Sequence, residues 1–257
     1  MLSFTQHGSD KNHPIILYLH GLGIAGWCWQ PVVDQMHSYD ALIPDLPGHG
    51  GSSAIQWHSL KDSAEQVARV VDMVPRERAI YVTGHSLGAY VGLNLLTIRP
   101  DRFEGAVLSG FHVGRLKAPT LWKAAYAING VLMRLPFVAR RMAEVFETQE
   151  MAAQYVNGMR HISARTIRHG GRDVVAFRPP ALDDIDCHML AVAADGEPDA
   201  IRRMPDALAT RYGAVTGRSL EGRDHQWPLR EPELHAEILH DAFGHQEEML
   251  VRSRRVS

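Results

Sequence analysis

The pentapeptide at 84–88, Gly-His-Ser-Leu-Gly, lies between an apolar run at 79–83 and a helix-like segment from Ala89 to Ile98. A serine at a sharp turn from strand to helix projects its hydroxyl above the sheet, and glycines on either side allow neighbouring backbone to pack closely. The pattern is weak by itself because glycine and serine are common. Ser86 is therefore a candidate nucleophile that must be judged together with its partners.

A base is needed next, because a serine hydroxyl is a poor nucleophile at neutral pH until an imidazole accepts its proton. Most of the fifteen histidines are predicted to lie in polar loops or on exposed sides of helices. His225 differs, since it lies in a loop at 222–228 between a strand-like run and the helix-like segment at 231–243. We predict that His225 is the catalytic base.

The base in turn needs a carboxylate that orients it, and the chain order Ser, acid, His places that acid between residues 86 and 225. Asp195, Glu197 and Asp199 all follow the buried strand-like run at 189–194. Asp224 is unsuitable, because a side chain adjacent to the histidine in extended backbone points away from its ring. We choose Asp199 over Asp195 and Glu197, since it lies one turn further on, where a loop can return toward His225.

These features resemble the α/β-hydrolase family over a region from about His13 to Phe243. The motifs are His-Gly-Leu-Gly at 20–23, the glycine-rich loop at 45–52, the serine turn at 84–88, and Gly-Glu-Pro-Asp at 196–199 together with the loop of His225. The resemblance implies that the acid is the last residue of the Gly-Glu-x-Asp element, here Asp199. It also implies an oxyanion hole formed by the backbone amides of Leu22 and Leu87, consistent with the need of a tetrahedral intermediate for preorganised donors.

Several activities are disfavoured. A serine nucleophile argues against the haloalkane dehalogenase and epoxide hydrolase branches of the family, which use aspartate. Metal-binding, dinucleotide-binding and phosphate-loop patterns do not occur, so we expect no metal and no cofactor. The basic residues match no nucleic-acid-binding module, so we expect no nucleic-acid partner.

Seven strand-like runs alternate with helix-like segments, which is typical of a mostly parallel sheet covered on both faces. Strands are predicted near 2–6, 15–19, 41–43, 80–83, 106–109, 189–193 and 215–220, and helices near 27–36, 60–74, 88–98 and 231–243. We therefore predict an α/β-hydrolase fold with a twisted sheet of seven or eight strands. Only one short strand precedes Ile15, which favours seven.

About seventy residues without a strand pattern separate the fifth and sixth predicted strands, which is too long for a loop. We predict a core domain of residues 1–110 and 183–257 and an insertion at 111–182. The resemblance implies that the insertion is a helical cap over the serine. Its large apolar residues are predicted to pack within the cap more often than they contact substrate: Trp122, Tyr126, Met133, Phe137, Val138, Phe146, Met151, Tyr155 and Met159.

The predicted cap carries eleven Lys and Arg residues against four Asp and Glu, whereas the whole chain has a formal net charge of −2. Docking on an acidic core or simple solvation explains this basic character. An alternative is that the cap attracts an acid-bearing ester, an acyl thioester or a lipid headgroup through Arg134, Arg140, Arg141, Arg160, Arg165 and Arg168.

Composition is that of an ordinary globular enzyme, with 45% hydrophobic and 22% charged residues. The two cysteines, Cys28 and Cys187, suggest free thiols in a reducing compartment, and neither a leader nor an apolar run of membrane-spanning length is evident. We expect a cytoplasmic monomer or homodimer without a membrane span.

The most consistent prediction is a serine hydrolase that acts on a small to medium carboxylic ester through an acyl-enzyme. Carbon-carbon or thioester hydrolysis, or acyl transfer, by the same residues remains open. A non-catalytic ligand-binding protein on the same fold is the second alternative.

Overall fold

Seven strands build one sheet in the order β1-β3-β2-β4-β5-β6-β7. The computed structural model describes residues 1–8, 13–146 and 148–254, with side chains described as far as residue 244. The strands are β1 Phe4–His7, β2 Ile15–Leu19, β3 Asp40–Pro44, β4 Ile80–His85, β5 Gly105–Ser109, β6 His188–Ala194 and β7 Val215–Leu220. The β1 strand is antiparallel to β3 and all other neighbours are parallel. The predicted mostly parallel sheet is confirmed, with seven strands.

Alternation along β2 explains how both faces of the sheet are covered. Its five residues are all buried. Ile15, Leu17 and Leu19 join an apolar cluster with residues from the helices on one face, while Ile16 and Tyr18 join a second cluster on the other face. Successive side chains of a strand point to opposite sides, so an uninterrupted apolar strand must lie between two layers.

Eleven helices flank the sheet or lie between its strands in the described part of the chain. They are α1 Gln30–Val33, α2 Leu60–Val71, α3 Leu87–Ile98, α4 Pro119–Leu132, α5 Pro136–Met142, α6 Gln149–His161, α7 Ala164–Val175, α8 Asp199–Arg202, α9 Met204–Arg211, α10 Trp227–Arg230 and α11 Pro232–Arg254. Shorter 3₁₀ turns span Gly26–Trp29, Gly50–Ser52 and Ala143–Val145. The helix predicted near 27–36 is instead a 3₁₀ turn followed by the single turn of α1.

The start of α2 illustrates how local sequence fixes an element. The Ser59 side chain accepts a hydrogen bond from the backbone N–H of Asp62, and Asp62 places a carboxylate in the first turn. Such a cap satisfies one of the free N–H groups at a helix start, and an acid there complements the helix dipole.

Helices α4 to α7, which we call the inserted helices, occupy the chain between β5 and β6. Within them α4 packs on α7: a Cβ atom placed on Gly171 of α7 would overlap the ring of Tyr126 of α4. The Trp57 indole N–H donates to Asp173 of α7 at 2.9 Å and ties the inserted helices to the loop after β3. This arrangement places them beside the carboxyl edge of the sheet.

No helix among the described residues has both the length and the apolar character needed to cross a membrane.

Candidate functional site

Ser86 lies at a strained turn between β4 and α3. Its φ of 53° and ψ of −119° are unusual for a residue other than glycine. A Cβ atom on Gly84 would lie 2.7 Å from the Gly88 carbonyl oxygen, and one on Gly88 would lie 2.0 Å from that of Leu19. The two glycines therefore permit the close backbone contacts that hold the serine in this conformation.

Three side chains from different loops form one hydrogen-bonded chain at the carboxyl edge of the sheet. The Nε2 atom of His225 lies 3.0 Å from the Ser86 hydroxyl oxygen, and its Nδ1 atom lies 2.5 Å from Oε1 of Glu197. The loops follow β4, β6 and β7, whose carboxyl ends meet at the same edge of a parallel sheet. The predicted Ser86 and His225 are thus adjacent, and Glu197 holds the other side of the imidazole.

Asp199 does not occupy the predicted position beside His225, so that choice is corrected to Glu197. Asp199 begins α8, is 46% exposed, and pairs with Arg202 and Arg203. The hydrogen bond from Arg202 is the main reason why its pKa lies below the usual range.

The path of the backbone after β6 explains why Glu197, and not Asp199, lies beside His225. The Glu197 N–H donates to the Ala194 carbonyl at 3.2 Å, which closes a tight turn, and the Gly196 N–H donates to the Arg223 carbonyl at 2.9 Å. This turn directs Glu197 inward, where its Oε2 accepts the Ala194 N–H at 2.7 Å and its side chain is fully buried. The chain then leaves through α8 and carries Asp199 toward solvent.

The other two acids near His225 have supporting contacts. Asp195 accepts the backbone N–H groups of Gly222 and Arg223, at 2.9 and 3.2 Å, and the Gly222 bond is the main cause of its lowered pKa. Asp224 accepts the Gln226 N–H and pairs with Arg230, as expected for a side chain directed away from the imidazole. Both carboxylates brace the loop that carries His225.

His85, the residue before the candidate nucleophile, packs against the imidazole of His225. Its ring centroid is 4.6 Å from that of His225, and its Nδ1 lies 2.9 Å from the Ser109 hydroxyl. Burial holds its pKa well below the usual value, with a further contribution from His225. A neutral His85 therefore supports His225 without competing for its proton.

Gly110 is a further residue that the sequence did not single out. Its φ is +69°, and a Cβ atom there would lie 2.6 Å from the His85 ring and 2.9 Å from the His225 ring. Only glycine combines this backbone conformation with this space. A glycine directly after a predicted strand was the available signal.

The predicted oxyanion donors lie on either side of Ser86. Leu87 begins α3, where backbone N–H groups have no partner within the helix. On the other side, a Cβ atom on Gly21 would lie 3.7 Å from Cβ of Ser86, and Leu22 lines the cavity that reaches the serine. These positions are compatible with the predicted oxyanion role of the two amides.

Buried His20 fixes the turn that contains Leu22. Its Nε2 accepts the Leu46 N–H at 2.9 Å, so Nδ1 carries the proton and donates to the Gly21 carbonyl at 2.9 Å. Because the peptide bond is planar and trans, fixing this carbonyl also fixes the Leu22 N–H in the opposite direction. His49 acts similarly on the next residue, accepting the Gly23 N–H at 3.3 Å. Burial lowers the pKa of His20 to about 4 and that of His49 to about 3.

Two cavities meet at Ser86, His225 and Tyr126. The larger, of about 570 Å³, extends under the inserted helices and has polar groups from Asn129 and Gln226 along its apolar wall. The smaller, of about 260 Å³, has a mainly aromatic and aliphatic lining that includes Tyr90, Leu116, Trp122, Val174 and Ile201. Tyr126 therefore separates two spaces that both reach the hydroxyl of Ser86.

The packing predicted for the large apolar residues of 111–182 is only partly observed. Met151, Tyr155 and Met159 are buried, whereas Phe137 is 71% exposed and Trp122 is 39% exposed. Tyr126, Met133, Phe146 and Tyr155 line the larger cavity. Substrate contact is therefore geometrically open to more of these residues than the sequence suggested.

The six arginines considered for substrate attraction are all exposed. Among them Arg141 lines the larger cavity, where it pairs with Glu144, while Arg140 and Arg160 border a separate surface groove. No group of three or more His, Cys, Asp or Glu side chains within the described residues could hold a metal ion.

A parallel sheet with a serine at the turn after β4, and a histidine and a carboxylate after later strands, defines a class of α/β enzymes. The family model for the alpha/beta hydrolase family matches residues 16–238. The chain belongs to this family.

Its relatives differ in how much of the chain they resemble. An AB hydrolase superfamily protein of Gibberella zeae is 25% identical over 87% of this chain and 78% of its own length. The 2-succinyl-6-hydroxy-2,4-cyclohexadiene-1-carboxylate synthase of Salmonella arizonae is 35% identical over 44% of this chain and 45% of its own length. The structure of a thermophilic esterase from Thermogutta terrifontis superimposes with a TM-score of 0.73 at 17% identity, covering 93% of this chain and 92% of that chain. This structural likeness concerns the fold.

Proposed function

We propose that the protein is a serine hydrolase that cleaves small to medium carboxylic esters through an acyl-enzyme. The observation that carries the proposal is the continuous hydrogen-bonded chain from Glu197 through His225 to Ser86, open to a cavity of about 570 Å³. A buried carboxylate, an imidazole and a serine hydroxyl in this order are the groups that nucleophilic acyl transfer needs.

In the first half of the reaction Ser86 Oγ attacks the ester carbonyl while His225 Nε2 takes the hydroxyl proton. The carbonyl electrons move to the oxygen, which accepts hydrogen bonds from the Leu22 and Leu87 amides. The carbon-oxygen bond to the alcohol then breaks, and His225 returns the proton to the leaving alcohol. Glu197 does not take this proton; it holds the imidazole with its Nδ1 proton toward the carboxylate.

In the second half water enters and attacks the acyl carbon, giving its proton to His225. The tetrahedral intermediate collapses, the acid product leaves, and Ser86 recovers its proton. We further propose that residues 111–182 act as a cap, because the inserted helices supply much of the cavity wall around the substrate.

The two cavities suit an ester whose acyl and alcohol parts extend in different directions from Ser86.

A fluorophosphonate probe and a panel of esters with graded acyl length test the proposal, with Ser86→Ala as the control. The probe is expected to label the wild type and to spare the variant, and ester turnover is expected to fall by about 10³-fold or more in the variant. Well-folded wild type that neither reacts with the probe nor hydrolyses any ester would instead indicate a ligand-binding protein.

A second candidate is favoured by the similarity to the carboxylate synthase. The same three side chains would then act on an anionic substrate, by carbon-carbon or thioester cleavage or by acyl transfer. Comparing neutral esters with hemisuccinate esters at low and high salt separates the two candidates, because attraction between charges weakens with salt. A salt-sensitive preference for the anionic esters would favour this candidate, and equal, salt-independent rates would exclude electrostatic selection.

A further inference from the structure

Large apolar side chains are exposed mainly in one part of the described chain, helices α4 and α5 and the turn between them. Leu121, Val131 and Phe137 are 70%, 60% and 71% exposed. Apart from Met1 and Met73, every exposed large apolar residue of the described side chains lies between positions 121 and 142. Contiguous exposure of this kind marks an interaction surface rather than ordinary scatter.

The exposed residues of α4 form one face of the helix. Leu121, Ile128, Val131 and Leu132 recur at helical spacing, and Leu135 continues the row beyond the helix end. The opposite side of α4 carries Tyr126 and Gly130, which pack on α7. We call Leu121, Ile128, Val131, Leu132, Leu135 and Phe137 the outer face, and none of them lines either cavity at Ser86.

The chain segment that carries the outer face contains charged residues of one sign only. Residues 105–143 contain no Asp or Glu, and they contain Arg115, Lys117, Lys123, Arg134, Arg140 and Arg141. Of these, Arg141 pairs with Glu144 just beyond the segment. A second copy of this chain, docked symmetrically through the same face, would bring these cations against one another. A negatively charged surface with an apolar interior would complement both features.

We propose that the outer face docks the protein on an anionic lipid surface. The apolar side chains enter the boundary between headgroups and acyl chains, and the surrounding Lys and Arg side chains contact lipid phosphates. The contact we propose is peripheral, through the outer face alone.

Docking in this orientation also places the active site near the lipid. Met133 and Met142, at the ends of α4 and α5, line the larger cavity, and Trp122 lines the smaller one. An ester dissolved in the lipid would then reach Ser86 along the inner side of the same helices. This consequence rests on the proposed hydrolase activity, whereas the docking itself does not.

Co-sedimentation with lipid vesicles tests the docking without using activity. Vesicles that contain phosphatidylglycerol are expected to bind the protein at least about tenfold more tightly than pure phosphatidylcholine vesicles, and high salt is expected to abolish the difference. The double variant Leu121→Ser with Phe137→Ser should lose about tenfold or more in binding. Lys117→Glu with Lys123→Glu, at two exposed lysines, should lose the preference for phosphatidylglycerol.

Matched controls come from α2 and the turn that follows it. Met73→Ser removes an apolar side chain that is 55% exposed on another surface, and Arg69→Glu reverses an exposed charge there, so both variants should bind as the wild type does. All variants should hydrolyse a water-soluble ester at the wild-type rate, which separates failure of docking from failure of the proposed activity. The proposal would be overturned if the wild type did not bind anionic vesicles. It would also be overturned if the wild type formed a dimer in lipid-free solution and the Leu121/Phe137 double variant did not.

Discussion

At the scale of single residues, the site depends on which carboxylate reaches the imidazole. Glu197 lies at 2.5 Å from His225 and is fully buried, whereas Asp199 is largely solvated and paired with two arginines. A buried acceptor can fix the tautomer and position of an imidazole in a way that a solvated carboxylate two residues away cannot.

The choice between these acids leads to a direct prediction. Glu197→Gln should lower kcat for ester hydrolysis by about 10³- to 10⁴-fold, because an amide no longer stabilises the imidazolium that forms during attack. Asp199→Asn should change kcat by less than about twofold, since it removes only an exposed ion pair. Steady-state kinetics of the two variants measure the difference, and the reverse ranking would restore Asp199 as the acid.

His85 provides a second prediction at this scale. His85→Phe keeps a ring but loses the hydrogen bond to Ser109. We expect kcat to fall about fivefold with KM nearly unchanged, because one lost hydrogen bond of about 1 kcal/mol would loosen the base rather than the substrate. His85→Gln, which retains a donor and an acceptor, should recover part of kcat. Equal losses in both variants, or a change confined to KM, would argue against a positioning role.

At the scale of elements, the turn from β4 to α3 is held by backbone contacts that leave no room for side chains. The hydrogen bond from the Ser86 N–H to the Ser109 carbonyl, at 2.9 Å, ties it to the neighbouring strand. The conformation of Ser86 is therefore maintained by the packing of α3 on β2 as much as by the glycines themselves.

A pair of glycine substitutions measures this constraint. Gly88→Ala would place Cβ 2.0 Å from the Leu19 carbonyl oxygen, so we expect a loss of about 3 kcal/mol or more in the free energy of unfolding. Gly158→Ala, inside α6 with nothing within 4 Å of the new Cβ, should instead stabilise the protein by about 0.5 to 1 kcal/mol. Urea unfolding measures the free energy of unfolding of both variants. Similar effects at the two positions would be inconsistent with a steric constraint at the serine turn.

At the scale of the whole molecule, several histidines are buried in the neutral state. Burial lowers the pKa of His20 to about 4 and those of His49 and His235 to about 3. In the unfolded chain each would titrate near 6.5. As pH falls below 6.5, these histidines bind protons in the unfolded state but not in the folded state. The free energy of unfolding therefore decreases as the pH approaches the folded pKa values.

We therefore expect folding stability to fall steeply between pH 6.5 and 5. Each of the three histidines should contribute about 2 kcal/mol of destabilisation at pH 5 relative to pH 7. The pH dependence of the urea midpoint measures this slope. His58→Gln should leave it unchanged, because His58 is exposed. A flat profile over this interval would show that the buried imidazoles accept protons without unfolding.

The sequence by itself determined the features that depend on short stretches of chain. The seven strands, the serine turn at 84–88 and the loop of His225 all follow from local apolar patterns, glycines and their order along the chain. The parallel arrangement then brings Ser86 and the loop after β7 to one edge, since the carboxyl ends of parallel strands meet there.

Only the tertiary structure decided among residues whose local patterns are equivalent. Asp195, Glu197 and Asp199 lie within five residues, and the backbone hydrogen bonds to the loop at 222–223 determine which of them faces inward. Similarly, the spacing of Leu121 and Ile128 indicates a helix face but not whether a neighbour covers it. Both outcomes depend on contacts between segments distant in sequence, which set the direction and burial of a side chain after the local fold is fixed.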